Sequence, residues 1–295
     1  MKVTQQGRDW RAKMRKIPYM LGIWMLVGNI VAALAAPVGM VDAVQFPAWL
    51  DRAGLSVPIS PDIELQAGDA VRTGAGARLI VKLGEGGLVK LGENTHVVID
   101  RVQSRGSASE SLLSVVSGAF RLTTGAQSRS SSRDMTINIA RNAAISARDA
   151  DLWGRSREDG DMVCLIEGQI EIIGNDRKIL KLDQPLQSFQ STRTAPPEPR
   201  GLLTRQEFDV LAAETEMEFG KGATPKGNWK VVIAGFATRA EAREAARNLR
   251  TNGYPAEVTA DNTLTVARMD GELAARQLAA RLKAGSGFPQ VRIAQ

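Results

Sequence analysis

At 295 residues the chain has room for about two domains at ~100–200 residues each, and its 43% apolar and 24% charged residues are ordinary for globular protein. The net charge of +6 is concentrated: residues 1–16 hold Lys2, Arg8, Arg11, Lys13, Arg15 and Lys16 against Asp9, so that short segment carries +5 and the rest of the chain +1. This distribution excludes a globally basic nucleic-acid binder, and the single cysteine, Cys164, excludes an intrachain disulfide.

The basic segment runs into "IPYMLGIWMLVGNIVAALAA", residues 17–36, which has no charge. A positive start, an apolar stretch and small residues at Ala33 and Ala35 predict a secretory signal over residues 1–35. The stretch is close to the ~20 residues a membrane helix needs, so a retained anchor is the alternative, with residues 1–16 cytoplasmic. Either way residues 44–295 are expected outside the cytoplasm, with membrane contact only through residues 17–36. That segment has no cysteine to carry a lipid.

Residues 62 to about 190 read as β throughout, an all-β domain, sandwich or barrel-like. "ARLIVKL" alternates, with Leu79, Val81 and Leu83 on one face and Arg78 and Lys82 on the other. "GEGG" and "GEN" then turn the chain between "LVKL" and "THVVID". Further strands are expected at 112–116, 119–122, 135–140, 161–173 and 177–182, with "SRSSSR" (128–133) as a polar loop.

"TRTAPPEPR" (192–200) predicts an extended linker. Within the 192–227 connection, Leu203, Phe208, Leu211 and Ala212 share a helical face, and Thr204 with Glu207 fits a capping box. "GKGATPKG" (220–227) reads as a flexible break. Residues 228–295 then alternate strand, helix, strand, strand, helix, strand, with Thr238 capping the first helix and Gly253 stopping it. That βαββαβ order predicts an α+β, ferredoxin-like domain with helices on one face of a four-stranded antiparallel sheet.

Two resemblances follow from particular residues. Gly68-Asp69, Arg72-Thr73-Gly74, Gly92-Glu93-Asn94-Thr95 and Glu167-Gly168, in that order, resemble the FecR domain, which would span residues 60–185. "WKVVIAGFATRAEAREAARNLRTNGYPAEV", echoed by "ELAARQLAARLKAGSGFPQV", resembles the SPOR (sporulation-related repeat) domain. The SPOR resemblance implies binding to peptidoglycan glycan strands through the exposed sheet face. The FecR resemblance implies an interaction or sensing module, and its signalling relatives act on a sigma factor through one transmembrane helix.

If Val231 and Ile233 pack on the helices, alternation turns Lys230, Val232 and Ala234 to the open face, with Thr265, Gln290 and Arg292 on neighbouring strands. Lys230, Thr265, Gln290 and Arg292 are therefore the candidate glycan-binding residues. The lone His96 cannot make a multi-ligand zinc site, and no nucleophile motif accompanies it. Asp149, Asp151, Glu158, Asp159 and Asp161 lack calcium-loop spacing and are interleaved with arginines, so 148–161 is expected to be a solvated hairpin loop. Cys164, between Val163 and Leu165, reads as a buried structural thiol. No catalytic residue, metal or cofactor is expected. The chain reads as an exported, non-enzymatic envelope protein in the periplasm, with peptidoglycan and an unidentified envelope protein as partners; the alternative is a membrane-anchored regulator of a sigma factor.

Overall fold

The computed structural model describes residues 37–295 except positions 85, 106–107, 125–132, 141–142, 193, 196, 219 and 289. The secretion signal or anchor expected over residues 1–36 lies outside the described residues, as does most of the polar run at 128–133. Among the described residues no helix is long and apolar enough to cross a membrane.

The β region begins earlier than residue 60. β1 (Gly39–Gln45), β2 (Ala48–Arg52) and β3 (Leu55–Pro58) precede it. β4 (Glu64–Leu65), β5 (Ala70–Thr73), β6 (Arg78–Leu83), β7 (Leu88–Leu91) and β8 (His96–Arg105) follow as short strands joined by tight turns. The strands expected at 112–116 and 119–122 are one long strand, β9 (Ala108–Thr123). β10 (Arg133–Ile139), β11 (Ala143–Arg157), β12 (Gly160–Gly174), β13 (Ile179–Leu182), β14 (Gln187–Thr192) and β15 (Glu198–Leu202) complete a 15-stranded sheet. Among the described residues, only β9 and β10 pair in parallel.

Alternation decides which side chains meet. Leu79, Val81 and Leu83 of β6 join Leu91, Val97, Ile99, Phe120, Leu122, Leu152, Val163 and Leu165 in one buried core. Each such side chain contributes roughly 1.5–3 kcal/mol of burial. The opposite face of the same strands carries a second, smaller apolar cluster of Ala119, Trp153, Met162 and Cys164.

Two expectations are corrected here. Residues 148–161 are not a solvated loop: they form the facing halves of β11 and β12, and Leu152, Trp153, Gly154, Ser156 and Asp161 are buried. Their charged side chains mark an outer sheet face rather than a loop, because on a two-sided strand every second residue leaves the core. Residues 192–200 are not wholly an extended linker either. β15 pairs with β14 around the buried Phe189, and the Ser188 hydroxyl donates to the Gly201 carbonyl at 3.0 Å. Pro199 is tolerated there because β15 pairs on one side only.

α1 (Arg205–Ala212) starts at Thr204 with the expected capping box: Thr204 Oγ1 accepts from the Glu207 N–H, and the Thr204 N–H donates to the Glu207 carboxylate. The C-terminal domain runs β16 (Trp229–Ala234), α2 (Arg239–Thr251), β17 (Ala256–Val258), β18 (Leu264–Met269), α3 (Glu272–Ser286) and β19 (Gln290–Ala294). Its sheet is antiparallel in the order β17-β18-β16-β19. Val231, Ile233, Leu264 and Val266 pack beneath Ala242, Ala246 and Leu249 of α2 and Ala275, Leu278 and Leu282 of α3.

The segment at 220–227 is also ordered, against expectation. Ala223 is fully buried, exchanges both backbone hydrogen bonds with Val44 of β1 and bridges to Met269 of β18. Trp49 Nε1 donates to the Thr251 carbonyl at 3.0 Å, Arg281 Nη1 to that of Phe46 at 2.7 Å, and the Phe46 and Tyr254 rings lie 6.3 Å apart. The described residues therefore form one unit, with the helical side of the C-terminal domain against β1 and β2.

Candidate functional site

The glycine- and threonine-rich turns of the β domain are structural locks. Asp69 is 1% exposed and accepts from Arg52 Nε at 2.8 Å, Arg52 Nη2 at 2.7 Å and the Gln66 N–H at 2.7 Å, tying the β2–β3 hairpin to the turn at Gly68. Thr73 Oγ1 donates to the Gly92 carbonyl at 2.6 Å and accepts from the Thr95 N–H at 2.9 Å, so two turns are pinned together. Gly168, at φ +83°, is in a bulge where an added Cβ would lie 2.3 Å from the Asp149 carbonyl oxygen. Arg72 forms a bidentate pair with Asp51 and stacks 5.3 Å over Trp49, whose ring also lies close against Gly253 of the C-terminal domain. These residues hold architecture and the domain junction, and they leave little capacity for a ligand.

His96 is half-buried beside that pair. Burial, with the Arg72 guanidinium adding to it and Asp51 opposing, holds its imidazole below the ordinary value of 6.5. A lowered histidine favours the folded state while neutral, and that contribution is lost as pH falls below ~6.5 through the depressed folded value. His96→Gln is therefore expected to flatten the acid limb of a urea-midpoint against pH curve. Burial pushes the Cys164 thiol up to about 12, the condition of an inert thiol. Asp149, Asp151, Glu158, Asp159 and Asp161 are spread along β11, the hairpin tip and β12. Asp151 holds Arg121 and Asp161 accepts from the Ser191 hydroxyl, so the five carboxylates are not gathered around one point.

The open face of the C-terminal sheet is the main candidate surface. β-register places Thr265, Val232 and Arg292 side by side across β18, β16 and β19. Gln290 lies opposite Ala234 at one end and Lys230 opposite Ala294 at the other. Lys230 and Thr265 are half-buried, while Gln290 and Arg292 are exposed. The register also brings in Arg268, which strand alternation from Thr265 would turn inward. Ala267, at φ +54°, is the extra residue of a bulge, and beyond it Arg268 stands directly opposite Lys230. Two cations facing each other across a sheet repel, and neither has a carboxylate partner among the described residues. The sequence carries no signal for this pair, because only the bulge creates it.

The chain matches the FecR protein family over residues 69–171 and the SPOR domain family over residues 225–293. No curated protein matches it. Two crystal structures, each described as that of a provisionally assigned anti-sigma factor from Parabacteroides distasonis ATCC 8503, are similar. One is 10% identical, with 77% of this chain and 98% of that chain covered and a TM-score of 0.39. The other is 11% identical, with 74% and 91% covered and a TM-score of 0.40. The chain therefore carries a FecR domain followed by a C-terminal SPOR domain.

Proposed function

We propose that the chain is a non-enzymatic, exported cell-envelope protein that binds peptidoglycan glycan strands through the open face of its SPOR sheet, its FecR domain acting as an interaction module. The observation that carries this reading is the unpaired Lys230–Arg268 couple beside the Thr265–Val232–Arg292 row. Stripping stem peptides from glycan leaves a lactyl carboxylate on every second sugar. An anion there relieves the repulsion between the two cations, while Thr265 and Gln290 can hydrogen-bond sugar hydroxyls. Hydrogen bonds to a charged partner contribute ~1.5–3 kcal/mol each and neutral ones ~0.5–1.5, so the cations should dominate. The docked geometry supports the reading as well, because α2 and α3 make the contacts to β1 and β2 while Arg268, Gln290 and Arg292 on the sheet side stay exposed.

Co-sedimentation of the chain with purified sacculi, before and after amidase treatment, tests it. Pelleting should rise after amidase, fall as salt is raised, and drop at least about tenfold in the Arg268→Glu/Arg292→Glu variant, about 1.4 kcal/mol or more. Equal pelleting of that variant on amidase-treated glycan would remove the face from consideration. No pelleting under any condition would leave the sheet as a protein-contact surface.

A further inference from the structure

The outer face of the FecR sheet is covered by the chain's own residues 203–217. Across this face Lys90, Arg121, Trp153 and Cys164 stand side by side on β7, β9, β11 and β12, with Arg155 in the next row between Ala119 and Met162. The covering segment matches that surface in two parts. Leu203, just before α1, and Phe208 within it pack into the apolar patch of Trp153, Met162 and Cys164. Beyond α1, Glu216 binds Lys90 Nζ at 2.6 Å and Arg121 Nη1 at 2.9 Å, and Glu214 binds Arg155 Nη1 at 2.7 Å. Burial pushes the Glu216 carboxyl up, but Lys90 and Arg121 together outweigh it and hold the group below the usual carboxylate range.

We infer that this face is a peptide-docking groove occupied in cis by residues 203–217, and that its partner in trans is an acidic amphipathic helix with the same pattern, an apolar face followed by a Glu-x-Glu pair. Three observations favour a displaceable segment over a fixed part of the core. The contact is separate from the main core and rests on few apolar side chains. The indole Nε1–H of Trp153, fully buried under the segment, has no acceptor among the described residues, so the cis occupant does not satisfy the groove it fills. A cleft of about 860 Å³, bordered by Glu214, Arg155, Arg78 and Asn94, opens beside the Glu214 pair and gives solvent and a competing segment access to it. This inference does not depend on the glycan reading, since none of its residues belongs to the SPOR domain.

Cys164, the chain's single cysteine, lies beneath α1 and reports release of the segment. The test is maleimide labelling of Cys164 in the full chain as a function of urea, in the wild type and in Glu214→Lys/Glu216→Lys. Labelling of the wild type should proceed at a rate independent of urea well below the unfolding midpoint, the mark of local opening. The variant should label at least about tenfold faster, and an excess of synthetic peptide 202–218 should slow it again. A peptide carrying both lysine substitutions should not. Wild-type labelling that follows global unfolding alone overturns the inference, and that arm stands even if the variant does not fold. A folded variant that the peptide fails to protect overturns it too.

Discussion

Gly118→Ala is expected to cost the FecR domain about 4 kcal/mol or more, a large share of the ~5–15 kcal/mol that holds a domain folded. Gly118 lies in β9 at φ +92°, and a Cβ there would meet Thr95 Oγ1 at 2.2 Å and Thr95 Cα at 2.4 Å. Thr95 cannot move aside. It is 1% exposed, its hydroxyl donates to the Ala119 carbonyl at 3.1 Å, and its N–H is held by Thr73. Shifting its backbone would unpick the turn lock between residues 73 and 95, so steric and hydrogen-bond losses fall on one site. Gly54→Ala separates the two contributions. Gly54 has φ +78° in the β2–β3 turn, but nothing lies within 4 Å of an added Cβ. That variant should lose only the left-handed backbone penalty of ~1–2 kcal/mol. Urea midpoints of both variants decide the matter: a Gly118→Ala loss no larger than that of Gly54→Ala would refute the lock.

The contrast between these glycines shows what could be read from the chain alone. β6 and its neighbours were legible because Leu79, Val81 and Leu83 alternate with Arg78 and Lys82, and one face of that strand is core. The SPOR domain was legible for a related reason: its two helices have marked starts and stops, and local rules set element order. α1 was legible through Thr204 and Glu207, three residues apart. What stayed hidden depends on partners far along the chain. Arg155 and Arg121 look like solvated charges until Glu214 and Glu216 arrive from 59 and 95 residues away, and so residues 148–161 read as a solvated hairpin loop. Ala223 sits between glycines in "GKGATPKG", a composition that describes flexibility, while its role comes from Val44 and Met269 on two other strands. Among the surface candidates, alternation found Lys230, Thr265, Gln290 and Arg292 but missed Arg268, because a bulge changes register without a sequence marker.

The junction between the two domains carries the second large expectation. A flexible linker would let wall binding and partner binding proceed independently, with linker length setting the effective concentration. The docked structure replaces that picture with a fixed angle. Ala223 stitches β1 to β18, Trp49 touches both Arg72 and Gly253, and Arg281 donates to the Phe46 carbonyl. The Arg72-Thr73-Gly74 turn thus braces the junction as well as the β domain, since an added Cβ on Gly74 would lie 2.8 Å from Pro47 Cγ and 3.3 Å from the Trp49 ring. The wild-type chain should consequently melt in one calorimetric transition that includes both domains. Ala223→Asp places a charge at a fully buried position flanked by Val44 and Met269, at a cost of several kcal/mol. It should split the transition in two while leaving helix and strand content unchanged by circular dichroism. Trp49→Ala, which removes the bond to Thr251 and the packing on Gly253, should lower the temperature of the single transition without introducing a charge. Two transitions already present in the wild type would mean that the domains are not energetically coupled. A single transition, with splitting in Ala223→Asp, would mean that the SPOR sheet and the FecR domain keep one set orientation, so that whatever engages one domain fixes the side from which the other is approached.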